Sequence, residues 1–593
     1  MRTAEMLQRY CLSFLYLLLY KYGITFYYRK ETEMILEKEK NWWKDASVYQ
    51  IYPKSFYDSN NDGYGDIEGI RQKLPYIKSL GVDVVWVCPF FKSPQADNGY
   101  DVADYFEIDP IFGGDMNDLR NLIDDCHKMG LKFVLDLVAN HTSDEHEWFK
   151  KALAGDEKYM NYYYFRDPVN GKAPCNWASV FGGGAWEYVP HLNKYYLHTF
   201  HKKQPDLNWE NKEVVDEVIN IMKHWAEYGV DGFRLDAINY LYKEPDFPDV
   251  EPMPGSEFGF GTEHYANKPK VNEHFARLNR EVFTPYNMMT VAEVAYINGE
   301  QARNYCGLNQ PEIDMLYLFE LLNFDQDGYD KFAPLPFDVK AFKDAIFTWQ
   351  EEMKDCGHLA LFFSNHDQAR SVSRFGNDSD EYRDLSAKMH GNTMYMLKGT
   401  PYIYQGEELG MTSIDYTAVE DFHDVEVPFM WQEKVIEGGE SPEKWIHLFN
   451  TRSRDGGRSP MQWNSSVNGG FSTATPWQKT NGNYTKINVE LQEKDEKSPL
   501  NFYRKLLKVR KTLKSVINGT VTPFDMNSEA TVCYSRDFED EKVISINNFK
   551  DYDVQVRLPQ GEYKVLLTNY GDVAEISGTV TLRPYEGITA VRK

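Results

Sequence analysis

Three carboxylates and one arginine carry the most chemistry in this chain. Arg234 and Asp236 stand two apart in VDGFRLDAI, Val230 to Ile238, so on a strand both side chains point to the same side. The run from Val230 to Leu235 is short and, apart from Asp231 at its entry and Arg234, apolar, which marks a buried strand. Opposite charges on one face of such a strand must be paired or functional, because an unpaired buried charge is costly. A purely structural ion pair is the plain alternative. Glu293 in TVAEV, and Asn365, His366 and Asp367 in SNHD, close or follow two further apolar runs, and Asp136, Asn140 and His141 end another. A pair of carboxylates beside an open, sugar-sized pocket is the equipment of glycoside hydrolysis.

The elements that must position these groups can be read from the hydrophobic pattern. Strand-like or continuous apolar runs occur at Ser47 to Phe56, Asp83 to Phe90, Lys132 to His141, Val230 to Leu235, Met288 to Val294, Met315 to Phe319, Leu359 to Phe363 and Thr400 to Tyr404. Near-continuous apolarity marks strands covered on both faces. Helical stretches lie between them: Ile70 to Leu80 stops at Gly81, Leu119 to Met129 at Gly130, and Glu213 to Tyr228 follows a long aromatic, glycine-rich segment. Eight alternating strands and helices predict an α/β parallel barrel, whose active site lies at the C-terminal ends of the strands. The polar groups named above end the third, fourth and fifth runs and follow the seventh. A last helix, Leu500 to Leu513, precedes alternating runs such as KVISINNF (Lys542 to Phe549), which predict a small β-sandwich.

Asp58, Asn60, Asp62 and Asp66 place oxygen ligands at alternate positions of a loop in which Gly63 and Gly65 permit a tight wrap. This resembles the start of a calcium loop, with a metal-free acidic turn as the alternative. The formal net charge of −25 argues against nucleic-acid, membrane-surface and polyanion binding. Aromatic residues, 15% of the chain, suit flat ligands such as sugar rings. Seven scattered cysteines without a C-x-x-C spacing give no disulfide framework and no zinc ribbon, and point to a reducing cytoplasm. At the N-terminus, Tyr10 to Tyr20 is apolar but is interrupted by Lys21, and no signal-peptidase pattern follows. Arg29-Lys30-Glu31 fits a purine-rich ribosome-binding stretch ahead of Met34. We therefore expect translation to start at Met34, with residues 1–33 a non-native or disordered extension and a membrane anchor the alternative. An intact mass beginning at Met1 would contradict this.

DLVANH (Asp136 to His141), GFRLD (Gly232 to Asp236), the glutamate of TVAEV and SNHD together resemble the four signature regions of glycoside hydrolase family thirteen, the α-amylase family. The resemblance runs from about Trp42 to the C-terminus. QPDLNWEN (Gln204 to Asn211), FGGGAWEY (Phe181 to Tyr188) and RSPMQW (Arg458 to Trp463) look like its oligo-1,6-glucosidase and α-glucosidase branch. The resemblance implies a (β/α)8 TIM barrel over 34–140 and 210–514, an inserted domain over 141–209 after the third strand, and a C-terminal antiparallel β-sandwich over 515–593. It implies Asp236 as nucleophile, Glu293 as general acid/base and Asp367 as the residue binding the 2- and 3-hydroxyls. Arg234 would keep Asp236 ionised, and nearby negative charge would raise Glu293. Asp97, Tyr100, His141 and His366 would complete the glucose pocket, with Phe181 against the sugar and Arg454 pairing with Asp97 to close it. The metal ligands would be Asp58, Asn60, Asp62, the Tyr64 carbonyl and Asp66, for one structural divalent cation, calcium or else magnesium. No cofactor is expected for the chemistry.

Ala237, directly after the nucleophile, departs from the valine that goes with α-1,6 preference in this branch, and implies α-1,4 or broader activity. The expected substrates are short α-glucosides of the maltose, isomaltose or sucrose type, cleaved by a cytoplasmic monomer. Sucrose isomerase and trehalose synthase share the scaffold. Trehalose-6-phosphate hydrolase would require a basic cluster that is not seen in the sequence. Transporter heavy chains share the fold behind a membrane helix but need no catalytic set.

Overall fold

The computed structural model describes residues 41–307, 312–328 and 330–593, so the expectation for residues 1–33 lies outside it. Eight parallel strands close into a barrel: β1 (Val48–Ile51), β2 (Val84–Val87), β3 (Lys132–Val138), β4 (Gly232–Asp236), β5 (Met289–Val294), β6 (Met315–Leu318), β7 (His358–Leu361) and β8 (Thr400–Tyr404). Each pairs with its sequence neighbours, and β1 closes the ring against β8 through Val48–Tyr402 and Tyr49–Ile403. All eight expected runs become these strands. The reason is local: VVWV of β2 and MLYL of β6 are buried throughout, as strands covered on both faces must be.

The helices are set by their caps. The Asp66 carboxylate accepts the Gly69 N–H at the start of α1 (Ile67–Ser79), and Asp115 and Asp118 form a reciprocal capping box on α2 (Met116–Lys128). α3 (Lys212–Tyr228) ends on Gly229 at φ +107°, a conformation that costs other residues dearly. Between β3 and α3 the chain leaves the barrel and forms a three-stranded antiparallel sheet from Phe165–Arg166, Trp186–Val189 and Lys194–Leu197. Its aromatic core, Tyr164, Trp177 and Trp186, packs with Tyr240, Phe247 and Tyr265 from the excursion that follows β4.

The C-terminal region is antiparallel, with strands β9 (Thr520–Phe524), β10 (Thr531–Phe538), β11 (Glu541–Asn548), β12 (Val554–Thr568), β13 (Glu575–Leu582) and β14 (Gly587–Arg592). They hydrogen-bond in the order β9-β10-β11-β14-β12-β13, as one continuous sheet rather than two separate ones. The reason is the length of β12, which bonds to both β13 and β14, with a register shift between Arg557 and Glu562. The sheet is fastened to the barrel helix Arg383–Tyr395: Asn392 Nδ2 donates to Asn547 Oδ1 at 2.7 Å, and Tyr534 donates to the Thr393 carbonyl at 2.7 Å.

Candidate active site

The strand ends meet in one cavity of about 1130 Å³, larger than the roughly 300–1,000 Å³ of ordinary small-ligand sites. Asp97, Tyr100, His141, Phe181, Asp236, Ala237, Glu293, Asp367 and Arg454 all line it. Arg234 and His366 do not. Both are buried behind the lining, and they act on it through its side chains. They lie beneath the surface that would hold the sugar, with Arg234 on the same side of β4 as Asp236 and reaching under the carboxylates.

Arg234 is the hub. Its Nη1 lies 2.6 Å from Asp236 Oδ1 and 2.7 Å from Asp136 Oδ1, and its Nη2 lies 2.6 Å from Glu293 Oε2. One guanidinium thus holds a carboxylate from each of β3, β4 and β5. Glu293 Oε2 also accepts the Ala237 N–H at 3.0 Å. Ala237 adopts φ +42°, so the chain turns sharply just after Asp236 and aims that N–H at Glu293.

Burial is the largest influence on both carboxyls. It raises Glu293 to about 8, with Asp236 and Asp367 adding to the rise and Arg234 opposing it. Burial also raises Asp236, to about 6, while Arg234 pulls it down and Asp136 pushes it up. Neighbouring charge is therefore the smaller part of Glu293's rise. At neutral pH the order leaves Asp236 ionised and Glu293 protonated. For Asp367, burial is outweighed by His366, Arg458 and Arg454, and the carboxyl is held well below the usual range. Burial drives His366 down to about 4, so its imidazole is neutral at pH 7. With the Gln50 amide donating to Nδ1 (2.8 Å), Nε2 carries the proton toward Asp367 (3.0 Å) and Tyr100. Tyr100 stacks on that ring, 5.3 Å away and within 7° of parallel, and donates to Asp136 at 3.0 Å.

The inner end of the cavity is closed by charge. Arg454 Nη2 lies 2.9 Å from Asp97 Oδ1 and 2.8 Å from Asp424 Oδ1, and the guanidinium sits 5.0 Å from the centre of the Phe181 ring. Arg458 reaches Asp367 at 3.1 Å and the His366 carbonyl at 2.8 Å, whereas Arg452 turns away to Asp325. Gln204 bonds Asp97 Oδ2 and His141 Nε2, both at 3.1 Å. Sequence reasoning gave Asp424, Arg458 and Gln204 no role. Gln204 stood inside the quoted QPDLNWEN, and Arg458 opened RSPMQW; Asp424 lies in an aperiodic segment with no signal. At the rim, Phe429 occupies the space a side chain on Gly182 (φ +99°) would need, so the excursion after β3 touches the segment after β8 there.

The acidic loop presents oxygen donors of the right kind. Asp58 and Asp66 are both buried, burial with a smaller push from Asp58 raises the Asp66 carboxyl, and among the described residues neither has an ion-pair partner. Asp58 accepts the N–H groups of Asn61 and Gly63, Asn60 that of Asp62, and Asp62 that of Tyr64, while Asp66 is committed to capping α1. Among the described residues no three acidic, histidine or cysteine side chains gather as a metal-binding group. The donor chemistry fits a cation, and the loop's carboxylates are spread along it rather than gathered.

Among the described residues no helix is long and apolar enough to cross a membrane. The description "Alpha amylase, catalytic domain" matches residues 50–519, and "Alpha-amylase SusG C-terminal domain" matches residues 532–588. The chain is 44% identical to the oligo-1,6-glucosidase of Parageobacillus thermoglucosidasius, over 92% of this chain and 98% of that one. It is 43% identical to the trehalose-6-phosphate hydrolase of Bacillus subtilis (strain 168), over 92% and 97%. The trehalulose synthase structure from Pseudomonas mesoacidophila MX-45 superposes with a TM-score of 0.88 at 34% identity, covering 93% of this chain and 99% of that one. With a closed barrel, a carboxylate cluster at its mouth and a catalytic-domain match over most of its length, the chain belongs to the alpha-amylase family of glycoside hydrolases.

Proposed function

We propose that the protein is an exo-acting, retaining α-glucosidase that releases α-glucose from the non-reducing end of short α-glucosides. The observation that carries this is the sharing of one guanidinium by Asp236 and Glu293 in a cavity whose inner end is sealed by Asp97, Arg454 and Asp424. Two carboxyls this close suit a direct attack, with no water held between them. Ionised Asp236 attacks the anomeric carbon while Glu293 gives its proton to the departing glycosidic oxygen. Glu293 then takes a proton from water, which displaces Asp236 and restores the α configuration. Asp367, kept ionised by its arginines, accepts the sugar's 2- and 3-hydroxyls. A sealed inner end admits a terminal sugar only.

Ala237 leaves room beside the aglycone, and on this ground we place α-1,4 links first and α-1,6 links second. Hydrolysis of trehalose 6-phosphate, the reaction named for the B. subtilis relative, meets an unfavourable outer cavity. Glu320, Asp327, Asp330, Glu426 and Glu433 line it against Lys331 and Lys434 alone, and these lysines are taken by Glu426 (2.7 Å) and Glu433 (2.6 Å). A phosphate dianion would face net negative charge. Incubation with maltose, isomaltose, sucrose and trehalose 6-phosphate, and NMR of the first glucose anomer released from p-nitrophenyl α-glucoside, whose aglycone is not a sugar, test the proposal. Hydrolysis of maltose and α-glucose from the aryl glucoside are expected. β-Glucose as the first product of the aryl glucoside, isomerised disaccharide, or cleavage of isomaltose with maltose untouched would contradict it.

The reading includes a cytoplasmic monomer. In keeping with a reducing compartment, the six described cysteines are buried free thiols. It also includes a cation, calcium first, held by Asp58, Asn60, Asp62, the Tyr64 carbonyl and Asp66. A chelator should lower Tm by about 2–4 °C, and calcium should restore it. An unmoved Tm would remove the cation from the proposal.

A further inference from the structure

One wall of the cavity is a file of four rings. The centroids of Phe181 and Phe200 are 5.8 Å apart, those of Phe200 and Tyr240 6.0 Å, and those of Tyr240 and Tyr296 6.5 Å with planes 28° apart. All four line the cavity. Phe181 begins the file beside Arg454, and Tyr296, three residues beyond Glu293, ends it.

The backbone of Tyr296 is in the left-handed region, at φ +56°. For a bulky L-residue this costs on the order of 1–2 kcal/mol, and glycine would adopt it freely. The surroundings hold the turn in place. The Asn239 and Asn267 amides donate to the Ala295 carbonyl at 2.9 and 2.8 Å, and Asn267 donates again to the Tyr296 carbonyl at 2.9 Å. Glu320, at the end of β6, accepts the Ile297 N–H at 3.2 Å. Four hydrogen bonds from three residues, on the excursions after β4 and β6, thus fix a tyrosine in a glycine-like turn beside the general acid. A strained position so firmly held signals use of its side chain.

We propose that Tyr296 is the aglycone platform: the departing group rests on its ring as the glycosidic oxygen meets Glu293. This specifies a flat, apolar-faced aglycone, such as the face of a pyranose or an aryl ring. The inference rests on the α-glucosidase reading above and deepens it.

Tyr296→Gly removes the ring while suiting the backbone, and an unchanged or higher Tm will show that the variant folds. kcat/KM for maltose should fall about tenfold, chiefly through KM. α-Glucosyl fluoride, whose leaving group is a single atom, should be turned over as by the wild type. Tyr296→Phe should stay within about twofold of wild type, since the ring face is retained. A parallel fall with p-nitrophenyl α-glucoside would support flat rings in general, and a fall with maltose alone would support the pyranose face. Unchanged maltose kinetics in Tyr296→Gly, an equal loss with the fluoride, or a Tyr296→Phe as impaired as the glycine variant would overturn the platform. A wild-type enzyme inert toward α-glucosyl fluoride would instead overturn the glucosidase reading, so the two failures are distinguishable.

Discussion

The two ends of the cavity are built on different principles. The inner end is a lattice of full charges: Arg234 among three carboxylates, Arg454 between Asp97 and Asp424, and Arg458 on Asp367. Asp136, Arg234, Asp236 and Glu293 sit on β3, β4 and β5, Asp367 follows β7, and Asp97, Asp424, Arg454 and Arg458 come from the segments after β2 and β8. The outer end has rings and surface ion pairs carried on excursions after β3, β4, β5, β6 and β8. Charges in water-excluded surroundings fix geometry strongly and fail badly when one partner is lost. Rings tolerate change and grade affinity. In the proposed reaction the difference separates where the bond is broken from where the leaving group is chosen.

The comparison breaks hardest at the inner end. Asp236→Asn should lower kcat/KM for every substrate by at least about a thousandfold, with the fold retained by circular dichroism; unchanged hydrolysis would remove the nucleophile. Arg454→Ala strands Asp97 and Asp424 as buried charges, at about 3–5 kcal/mol. We expect a loss of several degrees in Tm together with a loss of about a hundredfold in kcat/KM. A variant with wild-type kinetics would show that the seal is not needed.

The next effect is on pH. Asp236 must be ionised, so activity falls as pH drops through about 6. Glu293 must be protonated, so activity falls as pH rises through about 8. A kcat/KM profile should therefore be a bell centred near 7, and Glu293→Gln should abolish its alkaline limb on activated substrates. The smallest effect belongs to the outer end. Ala237→Val should raise the isomaltose-to-maltose ratio by about three- to tenfold. It should also lower Tm slightly, because a β-branched residue is strained at φ +42°. An unmoved ratio would take linkage choice away from this position.

The same division explains what the sequence made legible. Barrel strands are continuous apolar runs, and a charge inside one, such as Arg234 in GFRLD, is conspicuous. Helix starts carry capping residues, as Asp115 does. The inner site followed because its residues cluster at predicted strand ends. The outer wall did not. Phe200, Tyr240 and Tyr296 come from aperiodic segments, and nothing in AYIN foretells that Tyr296 will take a left-handed turn. Asp424 was missed for the same reason. The continuous C-terminal sheet depends on one strand pairing on both sides, which alternation alone cannot specify.

The single arginine shared by Asp136, Asp236 and Glu293 also sets the timing of the proposed reaction. While Asp236 is ionised, its charge helps keep the proton on Glu293, and the guanidinium is divided three ways. Once Asp236 is esterified by glucose, that negative charge is gone and Arg234's attraction falls more fully on Glu293. The affinity of Glu293 for a proton then drops. In the proposed cycle the side chain that gives a proton in the first half is thereby shifted toward accepting one in the second, at constant pH.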